Sequence, residues 1–208
     1  MDILHGKFHS HLTFNADDLE ILKDISKSLK GKLTIIDLVN GKHGREHMIT
    51  NHFLTGHKNY NDSNHIIQSL KNMSKFIKDA FNIDTLRIKL EHELYHPKSY
   101  PNEVSSSLNN FDYCESHIKL LLQNNDHDKL LKMVKDTDWR LSSNPLSKNT
   151  DGTVQFINRR FYDNKNYLND EIKMMTTHLK SDMIKILEVK TETCVYDSNK
   201  DLDAWWVN

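Results

Sequence analysis

The chain has 208 residues, 37% of them hydrophobic and 27% charged, enough for one sizeable domain or two small ones. Its formal net charge of −1 lacks the basic excess that sequence-independent binding to duplex DNA requires. No apolar run is long enough to span a membrane and no secretory hydrophobic region opens the chain. Only two cysteines occur, Cys114 and Cys194, without metal-ligand spacing. The expectation is a soluble cytoplasmic protein with reduced thiols and no membrane partner.

The first predicted element is a strand, "FHSHLTF" (Phe8–Phe14), in which His9, His11 and Thr13 alternate with apolar positions. A helix follows, with Asn15 as its expected N-cap, Leu19, Leu22, Ile25 and Leu29 as its apolar stripe, and Gly31 as its end. Two strands come next, Lys32–Leu38 and Glu46–Leu54, joined by a turn containing Gly41 and Gly44. A second helix over Ser63–Phe81 places Ile66, Leu70, Met73 and Ile77 at helical spacing, and "LRIKLEHEL" (Leu86–Leu94) reads as a strand. The unit is β-α-β-β-α-β.

From Tyr95 to Asp112 the composition turns to Pro, Ser and Asn, which reads as a linker. Beyond it the order recurs: a strand at Tyr113–Leu122, a helix at Asp126–Thr137, and a less regular stretch through Trp139–Asn149. A strand at Thr153–Tyr162, a helix at Tyr167–Lys180 and a strand at Ile186–Val195 complete it. The match reaches residues: "SHLTF" (10–14) lies over "SHIKL" (116–120), and "IKLE" (88–91) over "VKTE" (189–192). Duplication is the expected origin. Asp197, Asn199, Asp201 and Asp203 alternate as acceptors do in a calcium loop, but the Gly and closing Glu of such a loop are missing, so the segment reads as a turn. Trp205 and Trp206 are expected to dock on the domain rather than end the chain as a loose tail.

A β-α-β-β-α-β unit commonly forms a ferredoxin-like sheet with both helices on one face. The expected architecture is therefore α+β, a tandem duplication of a ferredoxin-like unit. One half covers residues 1–94 and the other 113–208, linked by 95–112, with two sheets facing across a cleft. Strand alternation puts His11 with Thr13 on one face, and Glu115, His117 and Lys119 on its counterpart. Lys89 and Glu91 share a face on one closing strand, as do Lys190 and Glu192 on the other. The third strands add Thr50 and His52 in one half, Asn158 and Arg160 in the other. The cleft is thus expected to be wet and charged.

Three functions fit such a cleft. "FHSHLTF" resembles the hydrophobic-flanked His-x-Thr motif of the 2H phosphoesterases, two-lobed enzymes that carry one such motif per lobe. The resemblance implies that His11 and His117 act as general acid and base, with Thr13 holding phosphate, and that no cofactor is needed. Position 119 departs from the motif, being Lys where the family has Ser or Thr. That family also places a strand and a helix before its first motif, whereas this one lies on the first predicted strand. On this reading Lys119, Lys89, Lys190, Arg160, His52, Glu91, Glu115 and Glu192 line the ligand site, and hydrolase and nucleotide-binding assignments follow. The second reading takes His11, Glu91, His117 and Glu192 as ligands of one divalent transition metal, similar to the vicinal oxygen chelate enzymes. The third is a module without turnover that binds a nucleotide or RNA end, or serves structurally. The partner expected on the first and third is a phosphate-bearing small molecule or an RNA terminus, met by a modest surplus of positive charge.

Overall fold

The structure is a computed structural model and describes residues 6–38, 44–55, 63–93, 113–123, 126–146, 151–162 and 165–203. In chain order the elements are β1 (Gly6–Phe14), α1 (Leu19–Ser28), β2 (Lys32–Leu38), β3 (Arg45–Thr55), α2 (Ser63–Phe81) and β4 (Thr85–Glu93). Then come β5 (Tyr113–Leu122), α3 (Asp126–Val134), β6 (Arg140–Ser143), β7 (Thr153–Phe161), α4 (Lys165–Ser181) and β8 (Lys185–Asp197). A short 3-10 turn follows at Lys200–Leu202.

The eight strands form one closed antiparallel barrel in the order β1-β3-β2-β6-β7-β5-β8-β4. This overturns the expected pair of ferredoxin-like sheets facing across a cleft: there is one continuous sheet, and the space it encloses is a lumen. Each arc of four, β4-β1-β3-β2 and β8-β5-β7-β6, repeats the same internal order. As separate sheets these arcs would leave β2, β4, β6 and β8 as edges with unpaired backbone N–H and C=O groups. Instead β4 pairs with β8 from Lys89↔Asp197 to Glu93↔Glu192, and β2 pairs with β6 at Asp37↔Ser143 and Leu38↔Ser142. Closure satisfies both sets of edges. It also turns the polar faces inward together, where each would otherwise have met the other across an open gap.

The apolar faces point outward and are covered by helices, so the protein has two cores outside the barrel wall. One joins Phe8, Leu12, Ile49 and Leu90 of the strands to Leu22 and Ile25 of α1 and Ile66, Leu70 and Ile77 of α2. The other joins Ile118, Leu120, Leu141 and Ile157 to Leu130 and Val134 of α3 and Met175 and Leu179 of α4. Each fully buried Leu or Ile in these layers stabilises the fold by about 1.5–3 kcal/mol.

Local sequence explains most boundaries, with three corrections. Helix α1 is capped by Asp18, whose carboxylate accepts from the N–H groups of Glu20 (3.0 Å) and Ile21 (3.2 Å). The expected cap, Asn15, instead ties the end of β1 to Asp84 through its backbone N–H. The same helix closes at Leu29, with Lys30 taking the left-handed conformation (φ 52°), before Gly31 is reached. Helix α3 stops at Val134, because the Thr137 hydroxyl and N–H both donate to the Val134 carbonyl and turn the chain. That turn drives Trp139 into the second core and starts β6 inside the stretch expected to be irregular. The linker 95–112 and the tryptophans Trp205 and Trp206 lie outside the described residues.

Candidate functional site

Alternation along the strands lines the lumen. Inward from β1 point His9, His11 and Thr13, from β4 Arg87, Lys89 and Glu91, from β5 Glu115, His117 and Lys119, and from β8 Glu188, Lys190 and Glu192. All of these except His9 line a cavity of about 340 Å³. His11, Thr13, Lys89, Glu91, Glu115, His117, Lys119, Lys190 and Glu192, all singled out from sequence, line this one space. Arg160 lies just behind it, buried and bonded to Glu115, while His52 is exposed, its ring 4.4 Å from that of His9.

The two arcs present matching half-sites. His11 is in register with Lys89 on one side and Thr50 on the other, and His117 with Lys190 and Asn158. In each, the imidazole Nδ1 is held by the neighbouring strand: His11 by Thr50 Oγ1 at 3.0 Å, His117 by Asn158 Oδ1 at 2.7 Å. The Asn158 amide nitrogen donates to Ser142 Oγ (2.9 Å), so its oxygen must be the group that accepts from His117 Nδ1–H. Nε2 is thereby turned to the lumen carboxylates. For His11 it meets Glu91 at 3.0 Å, and for His117 it faces Glu192 at 3.6 Å and Glu115 at 3.7 Å.

Behind the histidines runs a buried chain of ion pairs. Lys89 Nζ lies 2.5 Å from both Glu91 and Glu115, and Arg160 binds Glu115 through Nε (2.6 Å) and Nη2 (2.5 Å). Burial alone would raise the Glu115 carboxyl, but Arg160 and Lys89 outweigh it and hold the group at about 2. Burial is likewise outweighed at Glu91, where Lys89 and His11 keep the carboxyl well below the usual carboxylate range. Lys89, desolvated yet flanked by Glu115 and Glu91, is held above its ordinary value. Glu192 Oε1 is shared by His9 (2.6 Å) and Lys190 (2.8 Å). Against burial and the charge of Glu91, these partners and His117 keep Glu192 ionised, its pKa lowered.

The end of the chain closes one side of this network. Asp203, just past the 3-10 turn, is buried and accepts from Arg87 (2.7 Å) and from both terminal nitrogens of Arg160 (3.0 and 3.1 Å). Arg87 also binds Asp197, at 2.5 and 2.9 Å, and the Tyr113 hydroxyl donates to the same carboxylate at 2.5 Å. Arg87 was not singled out from sequence, and Asp203 was read there only as one of the alternating acceptors of a turn. Arg87 had a signal, since it stands two residues before Lys89 on the same strand face. Asp203 gave no sign of this role, because it depends on residues past β8 reaching Arg87 and Arg160.

The lumen does not carry the expected positive surplus. Lys32, Arg87, Lys89, Lys119 and Lys190, with Arg160 just behind them, are set against Glu46, Glu91, Glu115, Glu188, Glu192 and Asp203, with Asp197 behind those. Only Glu46 is discounted, since burial raises its pKa and Oε1 is without a hydrogen-bond partner among the described residues. Lys32 and Lys119 are the lining cations without an ion pair among the described residues. Among the described residues, Glu91, His117 and Glu192 could share a metal ion, their ligand atoms all lying within 4.8 Å of one another. His11, expected as a fourth ligand, is instead bonded to Glu91 beside that group. Among the described residues no helix is long and apolar enough to cross a membrane.

No family model matches the chain, and no curated protein matches it. The hydrolase and nucleotide-binding assignments drawn from the sequence gain no support from either comparison.

Proposed function

We propose that the barrel lumen binds a small phosphate-bearing ligand through a divalent cation held by Glu91, His117 and Glu192. The observation that carries this reading is the approach of two ionised carboxylates and one imidazole nitrogen in a cavity whose own charge is balanced. A phosphate entering as the groups stand would meet as much negative as positive charge. A bound divalent ion reverses that balance at Glu91 and Glu192, supplying an electrophile to which phosphate oxygens coordinate. Fixing of His117 Nδ1 by Asn158 supports the same reading, because metal-binding histidines are usually held through their second nitrogen. Lys119 and Lys32 are then available for the outer oxygens of the ligand, and His11 stands beside Glu91 as a further proton carrier.

The test is calorimetric titration of pyrophosphate into the purified protein with saturating Mn²⁺ and, separately, in EDTA. Melting temperature is followed in the same buffers. Mn²⁺ is expected to raise the melting temperature and pyrophosphate to bind only with Mn²⁺ present, and Glu192→Gln to lose both effects. Equal binding in EDTA would assign phosphate to the lysines alone, and absence of binding in Mn²⁺ would remove the reading altogether.

A further inference from the structure

The lumen has two unlike walls, set by strand order. Most of the charged and histidine side chains come from β5, β8, β4 and β1, four consecutive neighbours around the barrel; among the described strand residues lining the lumen, Lys32 of β2 and Glu46 of β3 are the charged groups that stand elsewhere. Of the other four consecutive strands, β6 brings Ser142 and Ser143, while β3 contributes Met48, β2 Ile36 and Leu38, and β7 Phe156. None of these four belongs to either outer core, so their apolar surface is directed at the cavity. Of the polar groups on that wall, Ser142 Oγ accepts from Asn158 and Thr34 Oγ1 lies 3.4 Å from Thr50 Oγ1, while Lys32 stands without an ion pair among the described residues.

An inorganic phosphate or a naked phosphate chain seeks donors or cations on every side and would leave the apolar side chains of this wall unused. An apolar surface facing a cavity gains only when apolar atoms of a ligand displace the water against it. From this we infer that the ligand is an organic phosphate whose non-phosphate part is an aromatic group. That group lies on Phe156, Met48, Ile36 and Leu38, while the phosphate reaches the opposite, charged wall. Phe156 offers a ring for offset stacking and Met48 a thioether for contact with a ring edge. The volume of about 340 Å³ sits at the small end of small-molecule sites, which suits one aromatic ring with its phosphate. This inference rests on the lumen binding phosphate at all, as proposed above.

The experiment compares phenyl phosphate with inorganic phosphate by calorimetry in saturating Mn²⁺, using the wild-type protein, Phe156→Ala and Ile36→Ser. Wild type is expected to bind the phenyl ester roughly ten- to a hundredfold more tightly, the range that burying one ring against apolar side chains supplies. Each variant should reduce that preference to about threefold or less while keeping wild-type affinity for inorganic phosphate, and a urea midpoint checks that it folds. Equal wild-type affinities for the two ligands would overturn the aromatic inference and leave the phosphate reading standing. If neither ligand binds while Mn²⁺ is present, the phosphate reading fails and takes this inference with it.

Discussion

Replacing Glu115 with Gln is expected to destabilise the protein by about 3 kcal/mol at pH 7, and the loss should shrink in acid. Glu115 is fully enclosed and neutralises two buried cations, Lys89 at 2.5 Å and Arg160 at 2.5 and 2.6 Å. Removing one partner of a buried ion pair costs about 3–5 kcal/mol, because the remaining charge is stranded away from water. Here Lys89 keeps Glu91 and Arg160 keeps Asp203, which favours the lower end. Titration leads to a similar figure. The carboxyl lies at about 2 in the folded protein against an ordinary value of 4.5. A depression of that size is worth about 3 kcal/mol at neutral pH. The folded value is the depressed one, so this stability is fully present above about 4.5 and is lost as pH falls through about 2. Equilibrium urea unfolding of both proteins at pH 7 and pH 3 reads this directly. The gap between them should narrow from about 3 to about 1 kcal/mol. At pH 7 it should appear as a melting temperature lower by about 6–12 °C for a chain of this size. A gap below about 1 kcal/mol at pH 7, or one that does not change with pH, would refute the account of Glu115 as the ionised centre of the lumen network.

Two further outcomes depend on packing rather than charge. Gly31→Ala should destabilise by about 1–3 kcal/mol in the same urea assay, since its new Cβ would stand 2.0 Å from Asn51 Oδ1 and 2.5 Å from Ile49 Cγ2. A neutral result would mean that β3 yields at that contact. Cys114 and Cys194 are both buried, and burial pushes the Cys194 thiol up to about 12. Both should therefore resist an aromatic disulfide reagent at pH 8 in the native protein and react once it is denatured; rapid native labelling would show that the wall near Tyr113 and Cys194 opens.

Most of what is local was readable in the sequence. The ranges Lys32–Leu38, Ser63–Phe81 and Tyr113–Leu122 form as the pattern predicts, because apolar period is imposed by backbone geometry within each element. The same period fixed which side chains share a face, so His11 with Thr13, Lys89 with Glu91 and Lys190 with Glu192 could be grouped before any strand was paired. Strand β6 escaped because four residues, Arg140–Ser143, are too short to show a period. The tertiary structure decided how the two polar faces meet. Facing sheets and a closed barrel bury the same apolar positions beneath the same helices. They differ only at the edges, where β2 meets β6 and β4 meets β8. Those contacts are made by backbone N–H and C=O groups that every residue except proline carries alike, so no side chain announces them. Asp203 belongs to the same class: its carboxylate lies between Arg87 and Arg160 only because closure brings residues from three distant segments to one end of the lumen.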